Sequence, residues 1–234
     1  LDIPVFHDDQ HGTAVVVLAG LLNAARATGR ELADLRVVVL GAGAAGVACT
    51  RILLAAGVGD VAVVDSRGVI SADRAPGLTG TKRWIAESTN KAGLAGTVRD
   101  ALRGADVFLG VSGPNLVEAG WLAEMNQDAV VLALANPDPE VDVDAAPANV
   151  RIVATGRSAD LNQINNVLAF PGIFRGLLDA RAPRVDDDAK IAAARGIASL
   201  VTDEELAAVR VVPSAIDPAV APTVAAAVRE HLGA

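Results

Sequence analysis

The chain has 234 residues, a formal net charge of −8 and 52% hydrophobic residues, dominated by Ala and Val, with aromatics held to 3%. That length buries a sizeable core, in one large domain or one domain with an appendage, and small aliphatic packing suits an α/β protein. The acidic balance lacks the positive field that nucleic-acid binding needs, and no run approaches the roughly 18 charge-free apolar residues of a membrane span.

Leu1-Asp2-Ile3-Pro4 opens the chain with an acid and no basic stretch, which argues against a signal peptide. The first residue is not Met, so a fragment or a processed chain is expected. Apolar spacing predicts a helix over Thr13–Thr28, closed by Gly29. Leu35–Leu40 (LRVVVL) is a short β-branched run bounded by glycines, the pattern of a buried parallel strand. A helix follows over Gly46–Ala56, then a strand over Val61–Val64. Further helices are predicted over Lys82–Asn90 and Thr97–Arg103. Strands recur at Val107–Val111, Val130–Ala133 and Arg151–Ala154. The last third reads as helical, over Ile164–Ala180, Asp187–Leu200, Thr202–Ala208 and Pro218–Leu232. The alternation predicts an α/β fold of Rossmann type. Its sheet is doubly wound and mostly parallel, with helices on both faces and a helical C-terminal extension. Three parts are expected: an acidic segment and helix over 1–30, a Rossmann core over 31–160 and a helical part over 161–234. Cys49 falls where a helix should pack on the sheet and reads as a core residue, with no base near it in sequence. A single cysteine also excludes an internal disulfide and a thiolate zinc site, and fits a reducing cytoplasm.

Arg36–Gly46 reads RVVVLGAGAAG. Gly41, Gly43 and Gly46 form G-x-G-x-x-G directly after a strand and at the start of a helix, and that context makes the motif specific. Gly41 permits the tight turn, Gly43 lets backbone approach a pyrophosphate, and Gly46 lets helix and strand pack closely. Ala44 stands at the helix N-terminus, where free N–H groups meet phosphate. Asp65, 19 positions after Gly46 at the end of the second strand, can accept hydrogen bonds from the adenosine ribose. It disfavours a 2′-phosphate, so NAD is favoured. Arg67 could still meet the extra phosphate of NADP. Ser112, in FLGVSG (108–113), is a candidate contact where a strand ends in small residues, though an ordinary strand-to-turn ending reads the same way.

Three further segments carry polar groups at suggestive places. Pro4–Thr13 (PVFHDDQHGT) sets Asp8 and Asp9 beside His7 and His11 just before a helix. Adjacent carboxylates need a cation or a proton when buried, and Mg2+ or Mn2+ fits oxygen ligands. A helix N-cap explains the same acids. The i, i+4 histidines would meet only if the helix began earlier than Thr13. LANPDP (134–139) places Asn136 at the carboxyl end of a strand, where α/β ligands bind. In LNQINNVLAFPG (161–172), Asn165 and Asn166 interrupt an apolar run. They suit a substrate carboxylate or, equally, the capping of a helix.

Taken together, FHDDQHGTA (6–14), VVLGAGAAG (38–46), ALANPDPE (133–140) and NQINNVLAFPGIFRG (162–176) resemble the short bacterial malic enzymes, in order along essentially the whole chain. The first and last segments are specific to that family; the glycine loop is shared by many dehydrogenases. The resemblance implies oxidative decarboxylation of L-malate to pyruvate and CO2 with reduction of NAD or NADP, helped by Mg2+ or Mn2+ acting as a Lewis acid. It implies that Asp9 is a metal ligand and that Asp8 helps position the catalytic lysine. Asn136, Asn165 and Asn166 are implied to be substrate-binding amides. Gly41, Gly43, Ala44, Gly46, Asp65, Arg67, Ser112 and Asn136 are expected to line the cofactor site, and Thr13 is expected to touch the cofactor. The family's catalytic tyrosine, its general-base lysine and the remaining acidic metal ligands lie in an N-terminal domain, and this chain contains no Tyr. The chain alone is therefore expected to bind cofactor without turning over malate. It is expected to dock on that domain and to form a homo-oligomer, a dimer by the family's habit. The alternatives are a stand-alone NAD(H)-binding module without chemistry and an amino-acid dehydrogenase; the latter gives no account of FHDDQHGTA.

Overall fold

The computed structural model describes residues 3–234. Leu1 and Asp2, on which part of the reading of the opening segment rests, lie outside the described residues. Six strands form one sheet: β1 (Arg36–Leu40), β2 (Asp60–Asp65), β3 (Gly68–Val69), β4 (Val107–Gly110), β5 (Ala129–Ala133) and β6 (Val150–Thr155). Their order is β3-β2-β1-β4-β5-β6. All neighbours run parallel except β3, a two-residue antiparallel return on β2. Sequence patterning gave no sign of β3, because two residues carry no periodicity.

The helices are α1 (Thr13–Thr28), α2 (Ala44–Ala55), α3 (Gly80–Ser88), α4 (Val98–Leu102), α5 (Phe170–Asp179), α6 (Asp187–Ala198), α7 (Asp203–Ala207) and α8 (Val220–His231). They cover both faces of the sheet. Val37 and Val39 of β1 point into a core shared with α1, α2, α6 and α8. Val38 and Leu40 point into a second core with α4 and the 3-10 turn Ala119–Glu124. The same alternation divides Val107 and Leu109 from Phe108, and Val130 and Leu132 from Val131. Strands buried on both faces explain the continuous apolar runs in the sequence. Cys49 is fully buried on α2, and burial pushes its thiol up to about 12, so it is a core residue.

Three expectations need correction. The strand predicted to reach Val111 ends at Gly110. The long helix predicted from Ile164 begins at Phe170 and ends at Asp179. Pro171 explains the late start: it lacks an N–H and is tolerated only in a first helical turn. Ahead of it, Asn165 caps a short 3-10 turn (Asn166–Leu168), accepting from the Val167 N–H at 3.0 Å. Third, the chain is already helical before Thr13, in a π-helical turn over Asp8–Gly12. His7 holds the capping position and makes no side-chain cap, so neither acid is the N-cap, while Asp8 and Asp9 both lie in the first turn, where acids meet the positive end of a helix. Gly12 leaves room here for the Asp8 carboxylate, whose Oδ1 would stand 2.2 Å from a Cβ at this position.

Part of the last shared motif serves packing. Gly172 and Gly176 let α5 lie directly on α8, where Cβ atoms would come within 2.5 and 2.8 Å of the Val224 and Val228 Cβ atoms. Asn162 is buried and donates to the Val153 and Val209 carbonyls at 3.0 and 2.9 Å. It also accepts from the Val211 N–H at 2.8 Å. This amide ties the end of β6 to the strap that follows α7.

Candidate functional site

The strand order reverses between β1 and β4, and that switch point opens a crevice at the carboxyl ends of the parallel strands. The chain leaves β1 through Gly41-Ala42-Gly43 and enters α2 at Ala44. Gly41 has φ +123°, a region L side chains avoid, and a Cβ there would lie 2.5 Å from the Val111 carbonyl oxygen. Its N–H donates to the Val64 carbonyl at 2.9 Å, which pins the loop to β2. A Cβ on Gly46 would lie 1.9 Å from the Gly41 carbonyl oxygen. Gly43 is different: among the described residues no atom stands within 4 Å of its missing Cβ. The first and third glycines thus serve close packing, and the second leaves backbone open. Among the described residues no side chain caps the N-terminus of α2, so its first N–H groups remain available to an anion.

From this loop a groove of about 1450 Å³ runs to the end of β2, lined by Gly41, Gly43, Asp65, Arg74, Lys82 and Ser112. The Asp65 side chain is only 5% exposed. Its Oδ1 accepts from the Arg67 N–H at 2.9 Å and from Arg74 Nη2 at 3.0 Å. Its Oδ2 accepts from Arg74 at 3.0 Å and Lys82 Nζ at 2.7 Å. Burial pushes this carboxyl up, but Lys82, the Arg67 N–H and Arg74 together outweigh it and hold it below the ordinary value. The residue predicted to meet the ribose is therefore in place, but its lone pairs already serve two cations. Arg67 is exposed along the same groove. Arg74 and Lys82 were not foreseen as site residues, because they reach Asp65 from 9 and 17 positions away through the β3 return and α3.

The acidic and amide segments meet. Asn166 Nδ2 donates to the Asp8 carbonyl at 3.3 Å and to Asp8 Oδ2 at 3.2 Å. Thr13 Oγ1 donates to Asn166 Oδ1 at 3.2 Å. Oδ1 of Asp8 is buried without a partner among the described residues, and Asp9 is exposed. The π-helical turn also brings His7 and His11 together, but the His7 N–H occupies Nδ1 of His11 at 3.2 Å. Burial first, then Lys190, holds the His11 imidazole below its usual pKa. Among the described residues no group of three or more acidic, His or Cys side chains is placed to hold a metal. A cavity of about 460 Å³ joins this turn to the glycine loop, with Gln10 and His11 on one wall and Ala42 to Ala44 on the other. Ser112 and Asn136 stand exposed just beyond β4 and β5. Asn165 is spent on its own turn and does not join the Asp8 cluster.

The model of the family described as "Malic enzyme, NAD binding domain" matches residues 10–232. A NAD-dependent malic enzyme of Geobacillus stearothermophilus is 50% identical over 232 residues, which is 98% of this chain and 48% of that protein. An NADP-dependent malic enzyme of Halomonas elongata is 47% identical, over 86% of this chain and 48% of its own length. The crystal structure of a malic enzyme from Pyrococcus horikoshii superposes with a TM-score of 0.93 at 45% identity, covering 100% of this chain and 56% of that one. The chain thus spans about half the length of the relatives it matches. It belongs to the malic enzyme family, as an NAD-binding domain of that family.

Proposed function

We propose that the chain is the cofactor half of an enzyme converting L-malate and NAD(P)+ to pyruvate, CO2 and NAD(P)H. The observation that carries this reading is the meeting of the acidic turn, Asn166 and the glycine loop at one edge of the sheet. A plain dinucleotide-binding module needs only the last of these. In this reading the pyrophosphate lies over Gly43 and the N-terminus of α2, where backbone is open and N–H groups are uncapped. The adenosine ribose lies against Asp65, and the nicotinamide half reaches Ser112 and Asn136. The Asp65 carboxylate at the ribose makes NAD the preferred cofactor, and Arg67, Arg74 and Lys82 beside it supply the positive charge that admits NADP. Both cofactors appear in the names of the relatives.

Asp8 and Asp9 suit Mg2+ or Mn2+ in part. The partnerless Asp8 Oδ1 calls for a cation or an ammonium group, and the exposed Asp9 offers hard oxygens. Two carboxylates do not complete the six-oxygen shell such ions take, so other ligands complete it. When bound, the ion supplies Lewis-acid polarisation of a substrate oxygen. Asn166 and Thr13 hold Asp8 in place, and Asn136 stands free to orient a substrate carboxylate. The acid–base pair lies, in this reading, in a separate part of the enzyme. Val5, Phe174 and Leu178 support a docking face for it or for a second copy: they are 54%, 42% and 73% exposed, and Phe174 stacks edge-on against Phe6.

The test is an absorbance assay for nicotinamide reduction with malate and Mn2+, run beside a binding titration. Binding of NAD without turnover is the expected result. Turnover by these residues alone overturns the assignment of the acid and base elsewhere.

A further inference from the structure

Glu140 is fully buried, and among the described residues no Lys, Arg or His pairs with it. A buried carboxylate without a counter-charge is costly unless its oxygens are hydrogen-bonded. Here each oxygen takes one backbone N–H: Oε1 accepts from Ser112 at 2.8 Å and Oε2 from Ala135 at 3.0 Å. These donors lie on different loops. Ser112 follows β4, and Ala135 immediately precedes Asn136 beyond β5. The Glu140 backbone reinforces the join, its carbonyl accepting from the Leu116 and Val117 N–H groups at 2.8 and 2.9 Å.

Space for this carboxylate comes from inside the sheet. Gly110, the last residue of β4, would place a Cβ 2.4 Å from Glu140 Cδ. Glycine weakens a strand, and a buried unpaired acid opposes folding. Both unfavourable choices coincide at the carboxyl edge of the sheet, where an α/β fold binds its ligand, and local rules are broken chiefly at functional sites.

We propose that Glu140 is a positioning residue that clamps the Ser112 and Asn136 loops into one rigid wall for the nicotinamide half of the cofactor. This rests on the dinucleotide reading above. The clamp acts at one end of the groove only: its contacts do not reach Asp65, Arg74 or Lys82. Glu140→Gln keeps the volume but offers one N–H donor to a second N–H, which releases one loop. Gly110→Ala displaces the carboxylate without touching either loop's polar groups.

The experiment titrates the unaltered chain, Glu140→Gln, Gly110→Ala and the double variant with NAD and with ADP, and melts each of them. ADP carries the adenosine and the two phosphates but no nicotinamide. Each single variant is expected to bind NAD about tenfold more weakly and ADP as the unaltered chain does, and the double variant to lose no more than either single one. Unchanged NAD affinity in both single variants overturns the clamp while leaving the dinucleotide site standing. Equal loss of NAD and ADP, or collapsed melting in both, makes Glu140 a general structural residue and also overturns it. An unaltered chain that binds neither ligand overturns the dinucleotide reading, and the clamp with it.

Discussion

Replacing Gly46 with alanine is expected to abolish NAD binding and to lower stability by about 1–3 kcal/mol, the usual cost of overpacking. The new methyl would lie 1.9 Å from the Gly41 carbonyl oxygen, 2.9 Å from its carbon and 3.4 Å from Val111 Cγ2. The first two are backbone atoms of a loop held to β2 by the Gly41 N–H, so they cannot yield locally. The start of α2 must tilt away, and with it the N–H groups assigned to the pyrophosphate. Gly43→Ala separates the two roles of the loop. Its methyl meets no atom within 4 Å, so stability should hold while the methyl stands where the phosphates approach. Denaturant titration with calorimetry reads both variants. Gly43→Ala binding NAD normally would mean that the cofactor does not cross this loop.

Asp65→Ala is expected to move cofactor preference toward NADP by roughly tenfold to a hundredfold, since hydrogen bonds to charged groups contribute about 1.5–3 kcal/mol. The substitution removes the carboxylate that meets the ribose and releases Arg74 and Lys82, now bound to it at 3.0 and 2.7 Å. Two freed cations beside the 2′ position suit a phosphate. An unchanged NAD-to-NADP affinity ratio would sink the placement of the ribose at Asp65. The same residue sets a pH dependence. Its folded pKa lies below the ordinary aspartate value of 3.8. Its contribution to stability is therefore complete above that value and is lost as pH falls through the lower folded pKa. Denaturation of the unaltered chain and of Asp65→Asn should differ most near neutral pH and converge in acid.

Much of this arrangement is legible in the residues. LRVVVL reads as a buried parallel strand, which forms over Arg36–Leu40 with only Arg36 exposed, and Gly41, Gly43 and Gly46 mark the turn out of it. Gly29 ends α1 where expected, at φ +65°. What escapes notice depends on contacts made across the chain. In the π-helical turn Gly12 leaves room for the Asp8 carboxylate, and no helical periodicity announces that turn. Pro171 did carry a signal for the late start of α5, overridden by the apolar run around it. Arg74 and Lys82 look like ordinary surface cations until β3 and α3 fold them back onto Asp65. Asn162 and Asn166 sit in one motif, yet Asn162 ties β6 to the following strap while Asn166 holds Asp8. Residue type and spacing do not separate those roles.

The most direct test of the central claim is a calorimetric titration of this chain with NAD. The account predicts saturable binding at one site per chain, lost in Gly43→Ala although that variant melts like the unaltered chain. An unaltered, folded chain that takes up no NAD would contradict it.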